Sequence, residues 1–237
     1  AIIALAGAKM TATLDNAPIE WYTEIHVNAG STLDIGTING SGSRAYMAIK
    51  GGFNLPLYLG SQSTFCFGQF GGLTGEPLTV GNALPFTPSQ FSNKKFSLNK
   101  SHQPTYVKEW EIEVIYGPHG APDFFTDNDI EMFFSAKWKV HHNSNRLGIR
   151  LIGPKPQWAR KDGGEAGLHP SNIHDCAYAV GTINFTGDMP IILNCDGPSL
   201  GGFVCPATII HSEFWKLGQL SPNDTITFKR VSYETAL

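Results

Sequence analysis

Glycine and proline interrupt this chain so often that a long helix has little room to form. There are 26 glycines and 15 prolines in 237 residues, and each favours a turn or ends a helix. What remains is a series of short apolar runs, which suits many strands and turns. A chain of this length can bury a sizeable core, as one large β domain or two small ones. Hydrophobic residues make up 41% and charged residues 16%, the balance of an ordered globular protein rather than a disordered tail. The net charge is only −3 and no Lys/Arg block occurs, so neither nucleic acid nor an anionic membrane is expected as a partner. The four cysteines, Cys66, Cys176, Cys195 and Cys205, show no C-x-x-C spacing and read as reduced thiols of a cytoplasmic protein. Residues 1–8 are apolar but too short to span a bilayer and lack the basic flank of a signal peptide. The chain is expected to begin inside a buried strand, as a piece of something longer.

Strands are predicted at residues 1–5, 21–27, 44–49 and 55–59, with turns at Asp15-Asn16 and at residues 39–42. Residues 85–104 are polar and proline-punctuated, and read as a surface connection. Residues 110–116 alternate polar and apolar side chains in period two, the mark of a half-buried strand. The best helix runs over residues 126–135, with Thr126 as N-cap, Asp129 in the first turn, and Ile130, Phe133 and Phe134 on one apolar face. Further strands are predicted at 137–141, 147–152, 179–183, 191–194, 207–210 and 225–230. A second short helix is placed after a Ser212 cap, with Phe214, Leu217 and Leu220 inward. Many strands with two short helices predict a mainly β fold, closed or nearly closed as a barrel.

Several familiar chemistries fail on spacing. His169, His174, Asp175 and Cys176 cluster, and His141 and His142 are adjacent, but neither set has zinc-ligand spacing, so no metal is expected. The run Gly60-Ser-Gln-Ser-Thr64 lacks the second glycine of a nucleophile elbow. Its hydroxyls, Ser61 and Ser63 among them, serve either a turn or a ligand. Residues 36–44 are glycine-rich but lack the lysine of a phosphate loop and precede a strand. Asn145 and Arg146 lie close before Arg150, and strand alternation puts Arg146, Gly148 and Arg150 on one face. That arrangement is either a seat for something planar or anionic or a surface ion-pair set. The richest stretch runs from His169 to Phe203. It gathers Asn184, Asp188, Asp196, Ser199, Gly201 and Gly202 between apolar runs, with too few apolar groups to be explained by packing alone. Its glycines allow a ligand close to the backbone.

Residues 44–64, 70–72, 145–151, 181–184, 196–203 and 217–220 resemble, in order, the allophanate hydrolase subunit 2 family. Pro170-Ser-Asn-Ile-His-Asp-Cys-Ala-Tyr178 followed by Ile183-Asn-Phe-Thr-Gly-Asp188 looks like its urea carboxylase branch. Relatives such as the 5-oxoprolinase subunit carry glutamine where Asn184 stands, and a Thr-Thr-Gly-Gly-Tyr form where this chain has Ser199-Leu-Gly-Gly-Phe203.

The resemblance implies a cyclophilin-like β-barrel, with residues 1–237 as a carboxyltransferase half-domain whose N-terminal segment is missing. It implies the carboxyltransferase step of a biotin-dependent urea carboxylase, an ATP-hydrolysing ligase that carries a carboxyl group from carboxybiotin to urea to give allophanate. Carboxybiotin arrives on a separate carrier domain, and ATP and Mg belong to the parent's biotin carboxylase domain. The partners implied are urea, that carrier domain and a second carboxyltransferase half-barrel, so the fragment alone is expected to be inactive. Asp196, Asn184 and Arg146 are the candidate catalytic residues. Ser61, Ser63, Asn145, Arg150, Ser199, Gly201 and Gly202 are the candidate substrate-binding ones. Two alternatives stand beside this: a 5-oxoprolinase C-type subunit, and a non-catalytic module that regulates a kinase.

Overall fold

The computed structural model describes residues 1–88 and 95–237. They form two compact units, one of residues 1–40 and 45–105, the other of residues 41–44 and 106–237. The connection expected over residues 85–104 lies partly outside the described residues.

The first unit consists of small sheets. β1 (Ile2–Gly7) is the middle strand of one. β2 (Met10–Leu14) and β3 (Ala17–Pro18) form a hairpin, joined through Asp15 and Asn16 with φ of 51° and 68°. Positive φ at both central residues is what a two-residue hairpin turn demands, and Asp and Asn tolerate it best after glycine. β4 (Ile25–His26) and β6 (Ala45–Ile49) flank β1, while β5 (Leu33–Ile38) pairs with β2. β7 (Thr64–Phe65) and β8 (Phe70–Gly71) complete this unit as a short ribbon. Two expected strands do not form as drawn. Tyr22 takes φ of 60°, which breaks residues 21–27 and leaves only β4. Residues 55–59 contain Pro56 and end in Leu59 at φ 49°, and they make only an isolated bridge between Tyr58 and Ser61.

The second unit is a closed seven-stranded barrel in the order β10-β11-β14-β13-β16-β9-β17, so the expectation of a mainly β chain built round a closed barrel holds. β9 (Glu109–Tyr116) turns Trp110, Ile112 and Val114 inward and its three glutamates outward. α1 (Asp127–Ser135) starts at a capping box: Thr126 Oγ1 accepts the Asp129 N–H at 3.1 Å, and the Asp129 carboxylate accepts the Thr126 N–H at 2.9 Å. Phe133 on this helix stacks on Phe228 with centroids 5.0 Å apart and packs against Trp138 and Phe185. Each such fully buried ring contributes roughly 1.5–3 kcal/mol. β10 (Trp138–Val140), β11 (Gly148–Ile152), β13 (Thr182–Thr186), β14 (Met189–Leu193), β16 (Ala207–Ile209) and β17 (Thr225–Arg230) complete the wall. β12 (Asn172–Ala177) and β15 (Leu200–Phe203) form a separate two-stranded ribbon with a bulge between Asn172 and Cys176.

β13 begins three residues later than expected, because Gly181 turns at φ +86° and the Thr182 hydroxyl accepts the Ala179 N–H at 3.2 Å. Ser212 is not a cap. A 3-10 turn (His211–Glu213) runs directly into α2 (Phe214–Leu217) with no side-chain capping bond. A further four-residue helix, α3 (Tyr233–Ala236), follows β17. Residues 41–44 join this unit through Gln219, which is 3% exposed. Its Oε1 accepts the Ser43 and Arg44 N–H groups at 3.0 and 3.2 Å, and its Nε2 donates to Arg44 O at 3.0 Å. No described helix is long and apolar enough to cross a membrane.

Candidate functional site

Strand alternation gives the barrel wall two faces. Ile149, Ile183, Phe185 and Ile192 fill the core, so Gly148, Arg150, Asn184, Thr186, Ile191 and Leu193 face the other way. On that outer face lies a cavity of about 280 Å³, floored by β11, β14 and β13 and walled by Tyr178, Pro198, Leu200, Gly201 and Phe203. Its size is just below the ~300–1,000 Å³ typical of ligand pockets. The register sets its polar groups: Arg150 and Asn184 are both partners of Ile191, so they share one row about 10 Å apart across three strands.

Asn184 is 4% exposed, and its Oδ1 is the one buried side-chain N or O atom among the described residues without a hydrogen-bond partner. Leaving such an acceptor unpaired costs about 1–3 kcal/mol. Arg150 donates from Nη1 to Asn143 O at 2.6 Å and is the only charged side chain among the lining residues. The cavity therefore offers one cation, one buried acceptor and no carboxylate. That set complements a small ligand carrying both N–H and carbonyl or carboxylate groups.

Four predicted site residues line this cavity: Asn145, Arg150, Asn184 and Gly201. Arg146 lies before the strand, because an Asn145 turn (Leu147 N–H to Asn145 Oδ1, 2.8 Å) delays β11 until Gly148. The expected shared face of Arg146 and Arg150 is thus not formed. Arg146 instead grips Asp196 with two bonds, Nε to Oδ2 at 2.7 Å and Nη2 to Oδ1 at 3.1 Å. Neither residue of that pair lines the cavity. Ser199 has an exposed side chain and accepts the Tyr178 N–H through its carbonyl at 2.9 Å. A Cβ on Gly202 would lie 2.7 Å from Ile173 O, so its bareness admits β12 rather than a ligand. Ser61 and Ser63 belong to the first unit, where Ser61 Oγ accepts the Ser63 N–H at 3.0 Å.

Asp188 is held as a structural group. Trp158 Nε1 donates to it at 3.0 Å, and Lys155 and His169 approach at 3.3 Å each. The Trp158 bond, helped by Lys155 and His169, keeps its carboxyl below the usual range against the opposing effect of partial burial. Burial pushes the Cys205 thiol up to about 12, too high for a reactive thiolate. Tyr178, Thr186 and the apolar floor of Ile191 and Leu193 were not singled out from the sequence. The available signal was the period-two continuation from Asn184 to Thr186. A larger groove of about 600 Å³ lies on the first unit, lined by Ile2, Ile3, Ile49, Phe96 and Leu98 among others. It is mostly hydrocarbon and, among the described residues, holds no unpaired buried polar atom, so the smaller cavity is the better candidate.

A sequence model of the family described as carboxyltransferase domain, subdomain A and B, matches residues 1–230. Urea amidolyase of Saccharomyces cerevisiae is 52% identical over 242 residues, a match covering 99% of this chain and 13% of that protein. A putative urea carboxylase of Emericella nidulans is 42% identical over 239 residues, covering 100% of this chain and 19% of that protein. The crystal structure of the K. lactis urea amidolyase superposes with a TM-score of 0.92 at 50% identity, covering 99% of this chain and 15% of that one. The chain thus spans a small part of the length of the relatives it matches.

Proposed function

We propose a function from one premise: the chain belongs to the carboxyltransferase domain family, subdomains A and B. Its high identity to urea amidolyase and urea carboxylase sequences supports a place within a urea carboxylase. In this reading residues 1–237 form part of the carboxyltransferase of a larger, biotin-dependent, ATP-hydrolysing enzyme of the cytoplasm, which carboxylates urea to allophanate. ATP and Mg act in the parent's biotin carboxylase domain. A carrier domain and a further carboxyltransferase portion are the partners.

The observation that carries the reading is the unpaired Asn184 Oδ1 in a cavity whose only charge is Arg150. The residues fit a carboxylated ureido group and a small amide, since both present N–H donors and carbonyl or carboxylate oxygens. Carboxybiotin, when bound, supplies the carboxyl group. Urea is a weak nucleophile because its nitrogen lone pairs are delocalised into the carbonyl. Asn184 Oδ1 accepts a urea N–H and fixes which nitrogen faces the carboxyl group. Arg150 attracts the carboxylate and balances charge on oxygen. The Arg146–Asp196 pair ties residues 145–147 to the turn at 194–197, and so holds the cavity's edge.

The test is Asn184→Ala in the intact parent enzyme, read as urea-dependent ATP turnover. A fall of about tenfold or more is expected, because a site built to hydrogen-bond its substrate loses discrimination steeply when that group is removed. Unchanged turnover removes the cavity as the urea seat. ATP consumption driven by 5-oxoproline instead of urea replaces this chemistry with lactam opening.

A further inference from the structure

Arg150 and Asn184 share one row of the cavity floor, with Ile191 between them as the register partner of both. Strand spacing sets their backbones about 10 Å apart. The floor therefore has two polar ends and a hydrocarbon middle, and Leu193 and Leu200 add to the apolar lining. The Asn184 end is an acceptor, since its Oδ1 is buried and without a partner. The Arg150 end is a cation. Its Nη1 donates to Asn143 O at 2.6 Å, which steadies the guanidinium, and a guanidinium has more donors than that one bond uses. Arg146, four residues earlier, has its counter-ion in Asp196, whereas among the described residues Arg150 makes no ion pair.

We infer that this cavity takes a small amide-carboxylate monoanion end to end, with its amide N–H on Asn184 Oδ1 and its carboxylate on Arg150, and holds that class more tightly than a neutral amide. Urea is one small neutral unit. It meets the acceptor at one end and brings no charge to the other. An N-carboxylated urea has both groups, joined by a flat middle whose face can lie on the Ile191 side chain. One cation and no carboxylate among the lining residues suit a single negative charge, because a second would stay unpaired. The consequence is regulatory: the seat retains its anionic product, and accumulated product competes with urea. This inference rests on the reading of the cavity as a seat for a small amide, and it names the class of ligand that fills that seat.

The probes are malonamate, in which a methylene replaces the bridging N–H of N-carboxylated urea, and malonamide, its neutral counterpart. Binding of each to the intact parent enzyme is measured by calorimetry without ATP or bicarbonate, so that no turnover intervenes. Malonamate is expected to bind at least about tenfold more tightly than malonamide, and added urea should compete with it. Arg150→Gln should bring the two ligands within about twofold of each other, and Asn184→Ala should weaken both. Equal binding of the two by the unchanged enzyme overturns the inference, as does a preference that survives Arg150→Gln or malonamate binding that urea leaves unchanged. A malonamate affinity untouched by Asn184→Ala overturns it too, since the ligand would then sit on the arginine alone. These failures leave the amide seat standing as long as Asn184→Ala still lowers urea-dependent ATP turnover, and unimpaired turnover sinks the seat itself. Where Arg150→Gln does not fold, Leu200→Asp puts a carboxylate on an exposed part of the lining. It must weaken malonamate more than malonamide, and equal weakening overturns the inference.

Discussion

Asp188 and Asn184 stand four residues apart in one short stretch, yet their surroundings give them different work. Asn184 has an acceptor without a partner, whereas Asp188 is surrounded by donors from Trp158, Lys155 and His169. Trp158 itself sits at φ +59°, a conformation a bulky residue holds only when its surroundings impose it. The carboxylate of Asp188 is part of that imposition. Its pKa lies below the ordinary carboxylate value in the folded chain, so ionisation favours folding. The stabilisation is complete above the unfolded pKa of about 4 and is lost as pH falls through the lower folded value. Asp188→Asn is therefore expected to cost about 1 kcal/mol at pH 7, discounted for solvent screening. Denaturant melts should show the gap to the parent sequence closing below about pH 4. A gap that stays constant down to pH 2 would remove the charge from the account. Asn184 was legible as one of the polar residues gathered between His169 and Phe203, in a stretch with too few apolar groups to be explained by packing alone. Tyr178 was not, since it is held at the cavity wall by backbone groups of Phe203 that lie 25 residues away.

Elements were readable where local pattern and tertiary demand agree. β9 shows this: glutamates alternate with Trp110, Ile112 and Val114, and the strand forms as the alternation requires. The start of β13 was hidden, because its boundary is set by Gly181 packing against the Phe214 ring, 2.7 Å from where a Cβ would stand. The ribbon of β12 and β15 was hidden as well, since its polar, glycine-containing strands lack the usual strand composition. α1 was readable from Thr126 and Asp129, but the cap does more than the capping box implies. The Asp129 carboxylate also accepts the Gln157 and Trp158 N–H groups at 2.7 and 3.1 Å, and the residue is 3% exposed. A helix cap and a distant loop thus share one side chain. Thr126→Ala removes one capping acceptor and should cost about 1 kcal/mol. Asp129→Ala strands three backbone donors and should cost about 3 kcal/mol or more. Equal destabilisation of the two variants in urea titration would mean that the loop at 157–158 is held by something else.

For the molecule as a whole, the last long strand decides whether the second unit closes. β17 pairs in parallel with β9 over six register positions and antiparallel with β10 over two. It also buries Ile226 and Phe228 at 0% and 3% exposure. The count of strands made a barrel legible in the sequence, while the bond from residues 43–44 to Gln219 spans too much chain for any local pattern to show. Beyond β17 the contacts thin out: Tyr233 and Leu237 are exposed, and α3 buries no residue. Two truncations follow from this contrast. A chain ending at Ser232 keeps β17 and its edge contacts, so it should retain the fold with a change of about 1 kcal/mol or less. A chain ending at Asp224 loses two buried side chains worth roughly 1.5–3 kcal/mol each and leaves two facing strands with unpaired edges. With typical net stabilities of about 5–15 kcal/mol, that loss should leave the second unit unfolded, as judged by proteolysis and near-UV circular dichroism. The cavity floor consists of β11, β14 and β13 of the same barrel, so the shorter truncate should lose the site together with the fold. A protease-resistant chain ending at Asp224 would show that the sheet bearing Arg150 and Asn184 stands without closure.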